Sequence, residues 1–205
     1  MRNSKIGVTV KLLKGDVSRV ELKQWFEKGL TIEEYIAGMN VNQEKMNTIY
    51  SQFSLNAEEK QQAQKIKDLG LKVIVISEDW CGDAMLNNPV LLRIAEEADI
   101  DVRFVLRDQN LELIDQYLTN GTSRSIPIFV FIDGNGEEKA VWGPRASKLQ
   151  DLVTSEVSKL PSQDDPDFKD KQMALYKQLG ERYQVEEGLW HTVAESILST
   201  LVKIS

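Results

Sequence analysis

A chain of 205 residues, of which 41% are hydrophobic and 28% charged, is long enough to bury a core and has the composition of an ordinary globular protein. Its 25 basic and 32 acidic side chains leave a net charge of -7, which excludes the large basic face that nucleic acid or an anionic membrane would need. No apolar run approaches the ~20 residues that span a bilayer, and residues 1–15 lack the regions of a secretory signal, so we expect a cytoplasmic protein.

The first part of the chain, residues 1–70, is predicted to be helical. The sequences Thr31-Ile32-Glu33-Glu34 and Asn56-Ala57-Glu58-Glu59 both place a capping residue three positions before a glutamate. In this pattern the two side chains satisfy N–H groups that the first helical turn leaves unpaired. We expect a helix to begin at each sequence, and the second to end near Gly70, because glycine readily adopts the left-handed conformation that ends helices.

Residues 71–118 alternate between strands and helices. Residues 71–76 are β-branched and almost continuously apolar, which is typical of a central strand buried on both faces. A helix is predicted over residues 81–98, and a second strand over 101–106, where apolar residues alternate. Another helix is predicted over 111–118, where the apolar residues have helical spacing.

Residues 128–142 carry the pattern of an antiparallel hairpin. Two apolar segments, 128–132 and 138–142, flank the sequence Asp133-Gly134-Asn135-Gly136, and such a turn favours a hairpin. A helix over residues 146–160 completes the order β-α-β-α-β-β-α. The fold class is therefore α/β, with parallel strands that give way to a hairpin, and it is not a plain doubly wound fold.

The last part of the chain, residues 161–205, is predicted to be a linker followed by two helices. Residues 161–166 are rich in Asp and Pro, which indicates a linker. Residues 168–179 and 189–204 carry apolar residues three and four positions apart, as amphipathic helices do. Residues 1–70 and 161–205 are thus helical extensions on either side of a domain formed by residues 71–160.

The candidate reactive group is Cys81, the only cysteine of the chain. It follows a strand and begins a helix, where free N–H groups and the helix dipole stabilise a thiolate, although a single cysteine is more often buried and inert. One cysteine excludes an intrachain disulfide and a cysteine-cluster zinc site, and no metal or other cofactor is expected. The only histidine, His191, stands beside Trp190 far along the sequence and is expected to be an ordinary helix residue.

Several motifs around Cys81 together resemble thioredoxin. They are the run Trp80-Cys81-Gly82-Asp83-Ala84, Pro89 in the same helix, Ile126-Pro127 before a strand, the glycine-bearing hairpin turn, and Trp142-Gly143 after the last strand. The resemblance covers residues 71–155, and the segment 80–84 is similar to that of a bacterial branch of thioredoxin-like proteins. It implies a thioredoxin-like fold, with a mixed central sheet and flanking helices, to which this chain adds N-terminal and C-terminal helical extensions.

The resemblance also assigns a site. It implies that Cys81 is the catalytic residue and that substrate is bound by Trp80, Gly82, Asp83, Ile126, Pro127 and Gly143. The Ile126-Pro127 peptide should be cis and face the cysteine, with the backbone of Ile126 offering hydrogen bonds to an extended substrate, and Pro89 should bend its helix. Without that context, Pro127 would be expected in trans at the start of an edge strand, Trp80 in the core and Gly143 in a simple turn.

Two departures from the family pattern limit the chemistry that it implies. The second cysteine of the family corresponds to Ala84, so internal attack on a mixed disulfide is not available. The buried acid that thioredoxins carry in the preceding strand corresponds to Val75, and its usual proton transfer has no purpose without a second thiol. This chain cannot cycle as a dithiol thioredoxin.

Charges near Cys81 have opposing effects on its pKa. The carboxylates of Glu78, Asp79 and Asp83 should raise the pKa and the helix terminus should lower it, with the helix prevailing narrowly. Asp83 is also a typical first-turn residue that offsets unpaired N–H groups. Arg124 and Arg145 could restore positive potential at the site, but solvated surface positions are the favoured interpretation for both.

Two functions of different classes remain open. In the first, Cys81 carries out single-cysteine thiol-disulfide exchange on a low-molecular-weight thiol adduct or a protein disulfide, and an external thiol resolves the mixed disulfide. In the second, the chain is a non-catalytic thioredoxin-fold module that binds a protein partner. The retained motifs favour exchange, whereas the missing cysteine and the acidic surroundings favour binding.

Overall fold

Four strands form one mixed sheet in the computed structural model, which describes residues 19–205. The strands are β1 (Lys72–Ser77), β2 (Asp101–Leu106), β3 (Ile128–Ile132) and β4 (Glu138–Trp142). Their order is β2-β1-β3-β4; β1 and β2 are parallel, whereas β3 is antiparallel to both β1 and β4. The predicted change from parallel strands to a hairpin is confirmed.

Helices precede the sheet, as predicted for the part of residues 1–70 that is described; residues 1–18 lie outside the described residues. The helices are α1 (Arg19–Lys28), α2 (Ile32–Gly38), α3 (Gln43–Gln52) and α4 (Ala57–Lys67). Both predicted capping boxes are present, Thr31 with Glu34 and Asn56 with Glu59. After α4 the chain reaches Gly70, which has a φ of +57° and therefore the left-handed conformation expected of it.

The helices within the sheet domain are α5 (Gly82–Ala98), α6 (Leu111–Ile114) and α7 (Ser147–Val157). The helix predicted over residues 111–118 is wrong beyond Ile114. There the chain continues in turns, and the Tyr117 hydroxyl donates a hydrogen bond of 2.7 Å to the Glu138 carboxylate on β4. This contact between distant parts of the chain competes with the helical spacing of the apolar residues.

Two further helices end the chain, α8 (Phe168–Val185) and α9 (Glu187–Leu201). The first is longer than the predicted 168–179, because Leu179 and Tyr183 are both buried one turn apart and continue the apolar side of the helix past Gly180. A glycine inside a helix costs only about 1 kcal/mol, which the burial of a large side chain exceeds. No helix within residues 19–205 is long and apolar enough to span a membrane.

Hydrophobic residues cover both faces of the sheet. Val73 and Val75 of β1 belong to a cluster that includes buried residues of α3, α4, α5 and α9, whereas Ile74 and Ile76 belong to a second cluster with Leu22 and Phe26 of α1. Successive side chains of a strand point to opposite faces, which explains why β1 is apolar throughout. The predicted central strand buried on both faces is confirmed, and it places the carboxyl end of β1 next to the start of α5.

Candidate functional site

Cys81 lies at the junction between β1 and α5, where it is the N-cap residue of the helix. Its side chain is only 8% exposed, and the Sγ lies 3.4 Å from the backbone carbonyl oxygen of Ile126, to which the thiol donates a hydrogen bond. The Ile126-Pro127 peptide is cis, as expected. Cys81 and the loop before β3 therefore face each other, as the sequence resemblance implies.

Gly143 packs against the loop that contains Ile126 and Pro127. Its φ of +131° is unfavourable for any other residue, and a Cβ atom would lie 2.3 Å from the backbone oxygen of Pro127. The peptide that follows, Gly143-Pro144, is also cis, which the sequence analysis did not predict. A simple turn would not bring the backbone of Gly143 this close to Pro127. Gly143 therefore packs against the loop that faces Cys81.

Trp80 is 47% exposed beside Cys81, so the alternative interpretation, in which it packs in the core, is wrong. The guanidinium carbon of Arg107 lies 4.8 Å from the centre of the Trp80 ring, a cation–π contact that supports the ring from the β2 side. An exposed tryptophan next to the cysteine offers a large apolar contact surface.

Asp83 forms an ion pair with Arg145 in which both carboxylate oxygens take part. Arg145 donates from Nε to Oδ1 at 2.8 Å and from Nη2 to Oδ2 at 2.6 Å, and the Tyr183 hydroxyl lies 3.4 Å from Oδ1. The favoured interpretation of Arg145 as a solvated surface residue is wrong, because its side chain and that of Asp83 are largely covered. Arg124 is on the surface, as expected, in an exposed pair with Asp115.

Burial and charge raise the pKa of the Cys81 thiol to about 11. The loss of hydration is the larger cause and the Asp83 carboxylate is the next, while the backbone N–H groups of Ala84 and Asp83 and the charge of Arg145 act in the opposite direction. The predicted mild lowering of this pKa is wrong. Sequence analysis weighed the helix terminus against three carboxylates and did not include the desolvation of the sulfur.

The other two carboxylates near Cys81 have structural partners. Asp79 Oδ2 accepts hydrogen bonds from the backbone N–H groups of Asn40 at 2.7 Å and Val41 at 3.1 Å, and thereby holds the loop before α3. Glu78 is buried and accepts a hydrogen bond of 2.7 Å from the N–H of Asp108. Burial is the main reason that the pKa of Glu78 is raised. Of the three carboxylates, only Asp83 is a principal cause of the raised pKa of Cys81.

A buried polar network joins the end of β1 to α2 and α5. The Ser77 hydroxyl is 3.1 Å from the Tyr35 hydroxyl and accepts a hydrogen bond of 3.0 Å from the Asn88 side chain. Val75, at the position of the usual buried acid, is completely buried among apolar residues. The sequence analysis missed this network, because its members belong to α2, β1 and α5 and only the tertiary fold brings them together.

A cavity of about 670 Å³ opens beside Cys81, and no residue of the Ile126 loop lines it. Its walls are the start of α3, the start of α5 and the middle of α8. The residues that line it include Lys45, Trp80, Cys81, Asp83, Arg145, Tyr176, Lys177 and Tyr183. Sequence analysis predicted helices at the C-terminal end but had no signal that one of them would cover the cysteine.

His191 lies in α9, as predicted, and pairs with a residue of α4. Its Nδ1 lies 2.8 Å from Oε1 of Glu59, whose other carboxylate oxygen caps α4 by accepting the N–H of Asn56. In the described part of the chain, no three His, Cys, Asp or Glu side chains come together as a metal site would require.

Comparison with known proteins places these observations in a family. A family model described as thioredoxin matches residues 29–159, while no curated protein matches the chain. A solved protein of unknown function from Pseudomonas aeruginosa has a similar structure, with 15% identity, a TM-score of 0.60, and coverage of 86% of this chain and 96% of that one.

Two other solved structures are also similar. An HIV epitope-scaffold has 15% identity, a TM-score of 0.61, and coverage of 89% of this chain and 98% of that one. Thioredoxin from Fasciola hepatica has 26% identity, a TM-score of 0.31, and coverage of 46% and 88%. Since the family model covers more than half of the residues, including every element from α2 to α7, the chain belongs to the thioredoxin family and carries the fold with a single cysteine.

Proposed function

We propose that this protein is a thioredoxin-fold binding module, in which the surface around Cys81, Ile126 and Gly143 holds a protein partner without chemical turnover. The observation that supports the proposal is that the Cys81 thiol is buried and its pKa is raised. A thiol that is 8% exposed and has its pKa raised to about 11 is protonated at neutral pH, and the thiolate is the form that attacks disulfides.

The missing second cysteine also favours binding over thiol-disulfide exchange. Ala84 occupies the position one turn after Cys81 and is itself buried, so a mixed disulfide at Cys81 would have no internal route of escape. A thiol of high pKa is also a poor leaving group, which slows release by an external thiol. Both steps of an exchange cycle are therefore unfavourable at this cysteine.

Features suited to binding remain at the site. Trp80 exposes nearly half of its surface, and the close approach at Gly143 keeps the Pro127 loop in a fixed position. A large exposed aromatic side chain beside a fixed loop is suited to the recognition of a protein partner.

The test is the pH dependence of Cys81 alkylation by iodoacetamide, followed by mass spectrometry between about pH 6 and 11. The folded protein should react more slowly than N-acetylcysteine at neutral pH, with a rate that rises towards a midpoint above that of the free thiol. The same chain in urea is the matched control and should react like the free thiol. A folded protein that reacts faster than N-acetylcysteine would contradict the proposal.

One observation favours thiol-disulfide exchange as a second candidate. The backbone N–H groups of Asp83 and Ala84 act on the sulfur at the start of α5, an arrangement that stabilises a thiolate once it forms. In that reaction the Cys81 thiolate attacks a disulfide, forms a mixed disulfide and releases one thiolate; an external thiolate then attacks the adduct and regenerates Cys81. Rapid accumulation of a mixed disulfide from hydroxyethyl disulfide would favour this candidate.

A further inference from the structure

The cavity between α3, α5 and α8 has the properties of a binding site in its own right. Its volume of about 670 Å³ lies within the range of ~300–1,000 Å³ that ligand pockets occupy. The wall formed by Tyr176, Lys177 and Tyr183 comes from α8, which lies beyond residue 159 and so outside the match to the thioredoxin family model. The C-terminal extension therefore adds a site that the matched part of the chain does not build alone.

Charge is unevenly distributed around this cavity. Lys45 on α3 and Lys177 on α8 both line it, and within residues 19–205 neither ammonium group has a carboxylate or hydrogen-bond partner. Arg145 is paired with Asp83, and Glu181, the other acidic residue of the lining, has no ion-pair partner within residues 19–205 either. Three basic and two acidic side chains therefore leave the lining with a net charge of +1. A net positive lining in a chain with a net charge of -7 favours a negatively charged occupant.

The edge of the cavity is apolar as well as basic. Trp80 is 47% exposed and Tyr176 51% exposed, and Met173, one helical turn before Tyr176, is 63% exposed. Large apolar side chains that remain accessible next to a cavity are typical of protein contact surfaces.

We propose that this cavity receives an acidic segment of a protein partner, in which carboxylates lie between Lys45 and Lys177 and a neighbouring apolar side chain contacts Trp80 and Tyr176. The inference rests on the proposed binding function and specifies the chemistry of the partner. Cys81 forms part of the cavity lining, so the bound segment covers the thiol without reacting with it.

The experiment is a selection of random dodecapeptides against the full chain, with binding of the enriched peptides measured by fluorescence anisotropy. Enriched peptides should carry Asp or Glu close to an aromatic or aliphatic residue. The variant Lys45→Glu/Lys177→Glu should bind them at least about tenfold more weakly, and added salt should weaken binding to the unmodified chain. A bound peptide should also slow the alkylation of Cys81.

The matched control is Lys60→Glu/Lys169→Glu, which makes the same charge change at exposed lysines of α4 and α8 outside the cavity and should leave binding unchanged. Enriched peptides without acidic bias, or equal binding to both double variants, would overturn the inference and leave the binding function standing. If no peptide is enriched while Cys81 accumulates mixed disulfides rapidly, the binding function itself fails and the inference fails with it.

Discussion

Gly143 is the residue whose replacement should most directly disturb the loop facing Cys81. With a φ of +131° and an added Cβ only 2.3 Å from the Pro127 oxygen, Gly143→Ala must shift backbone against backbone. We expect it to lower the free energy of unfolding by roughly 1–3 kcal/mol, measured by urea denaturation.

Gly38→Ala is the matched control for this substitution. Gly38 ends α2, and a Cβ there would have no neighbour within 4 Å among the described residues. Alanine at a helical position is favourable by up to about 1 kcal/mol relative to glycine, so this variant should be as stable as the unmodified chain or slightly more stable. Equal losses at both glycines would contradict the steric explanation.

Asp83 offers a second test at the residue scale, because its charge is a principal cause of the raised pKa of Cys81. Removing a negative charge favours the thiolate, so Asp83→Asn should move this pKa down from about 11 and shift the alkylation profile to lower pH. Arg145, left without its partner, should act in the same direction. Native structure is checked by circular dichroism before each rate is measured.

The control for Asp83 is Asp115→Asn, which breaks an aspartate–arginine pair on the exposed surface with Arg124. It should leave the Cys81 profile unchanged, because neither residue contributes to the pKa of the thiol. If Asp83→Asn and Asp115→Asn both coincide with the unmodified protein, desolvation alone sets the pKa.

At the scale of elements, α5 carries the position at which a second thiol can be restored. Ala84 lies in its first turn, three residues after Cys81, where thioredoxins have their resolving cysteine. Ala84→Cys should form an intramolecular disulfide with Cys81 under mild oxidant, observed as a loss of two thiols. Reduction of insulin disulfides should stay slow, because Cys81 remains buried and protonated at neutral pH. Gly82→Cys is the control, because adjacent cysteines bridge only with strain and should keep both thiols under the same oxidant.

The elements themselves were largely predictable from local patterns. The capping boxes of α2 and α4 and the alternation of strands β2 to β4 depend on residues close in sequence, and their predicted positions agree with the structure. The early end of α6 and the extra turns of α8 depend on contacts made by Tyr117 and Tyr183 with distant residues. Such contacts leave no periodic signal in a single sequence.

The candidate site likewise has a part that local motifs predicted and a part that depends on contacts between distant residues. The approach of Cys81 to Ile126 follows from motifs that have a fixed place in the fold, and it was predicted from them. The pairing of Asp83 with Arg145, the contact of Tyr183 with Asp83 and the cavity wall of α8 join elements far apart in the chain. The pKa of Cys81 depends on this covering, so its direction could not be derived from neighbouring charges alone.

At the scale of the whole molecule, the C-terminal helices are part of the main hydrophobic core. Trp190, Val193, Ile197 and Leu201 of α9 are at most 1% exposed and belong to the same cluster as Val73 and Val75 of the central strand. The cluster also contains Met46, Ile49 and Phe53 of α3. Because these residues share one core, we expect unfolding to be cooperative across the described chain.

Replacing Trp190 tests whether the C-terminal helices and the sheet share one core. Its ring is 1% exposed, makes an edge contact with Phe53, and donates a hydrogen bond of 2.7 Å from Nε1 to the backbone oxygen of Tyr183. Trp190→Ala should lower the free energy of unfolding by about 3–5 kcal/mol, since it leaves a large cavity and an unpaired buried carbonyl. That loss is a large share of the ~5–15 kcal/mol typical of a folded domain.

The control, Trp80→Ala, removes the same side chain from a position that is 47% exposed, and it should cost less than about 1 kcal/mol. Circular dichroism in urea measures both variants without relying on tryptophan fluorescence. If the C-terminal helices were an independent appendage, Trp190→Ala would give a separate early transition and leave the sheet at its original midpoint. A single transition shifted to lower urea is expected instead, because α9 and β1 lose their packing together.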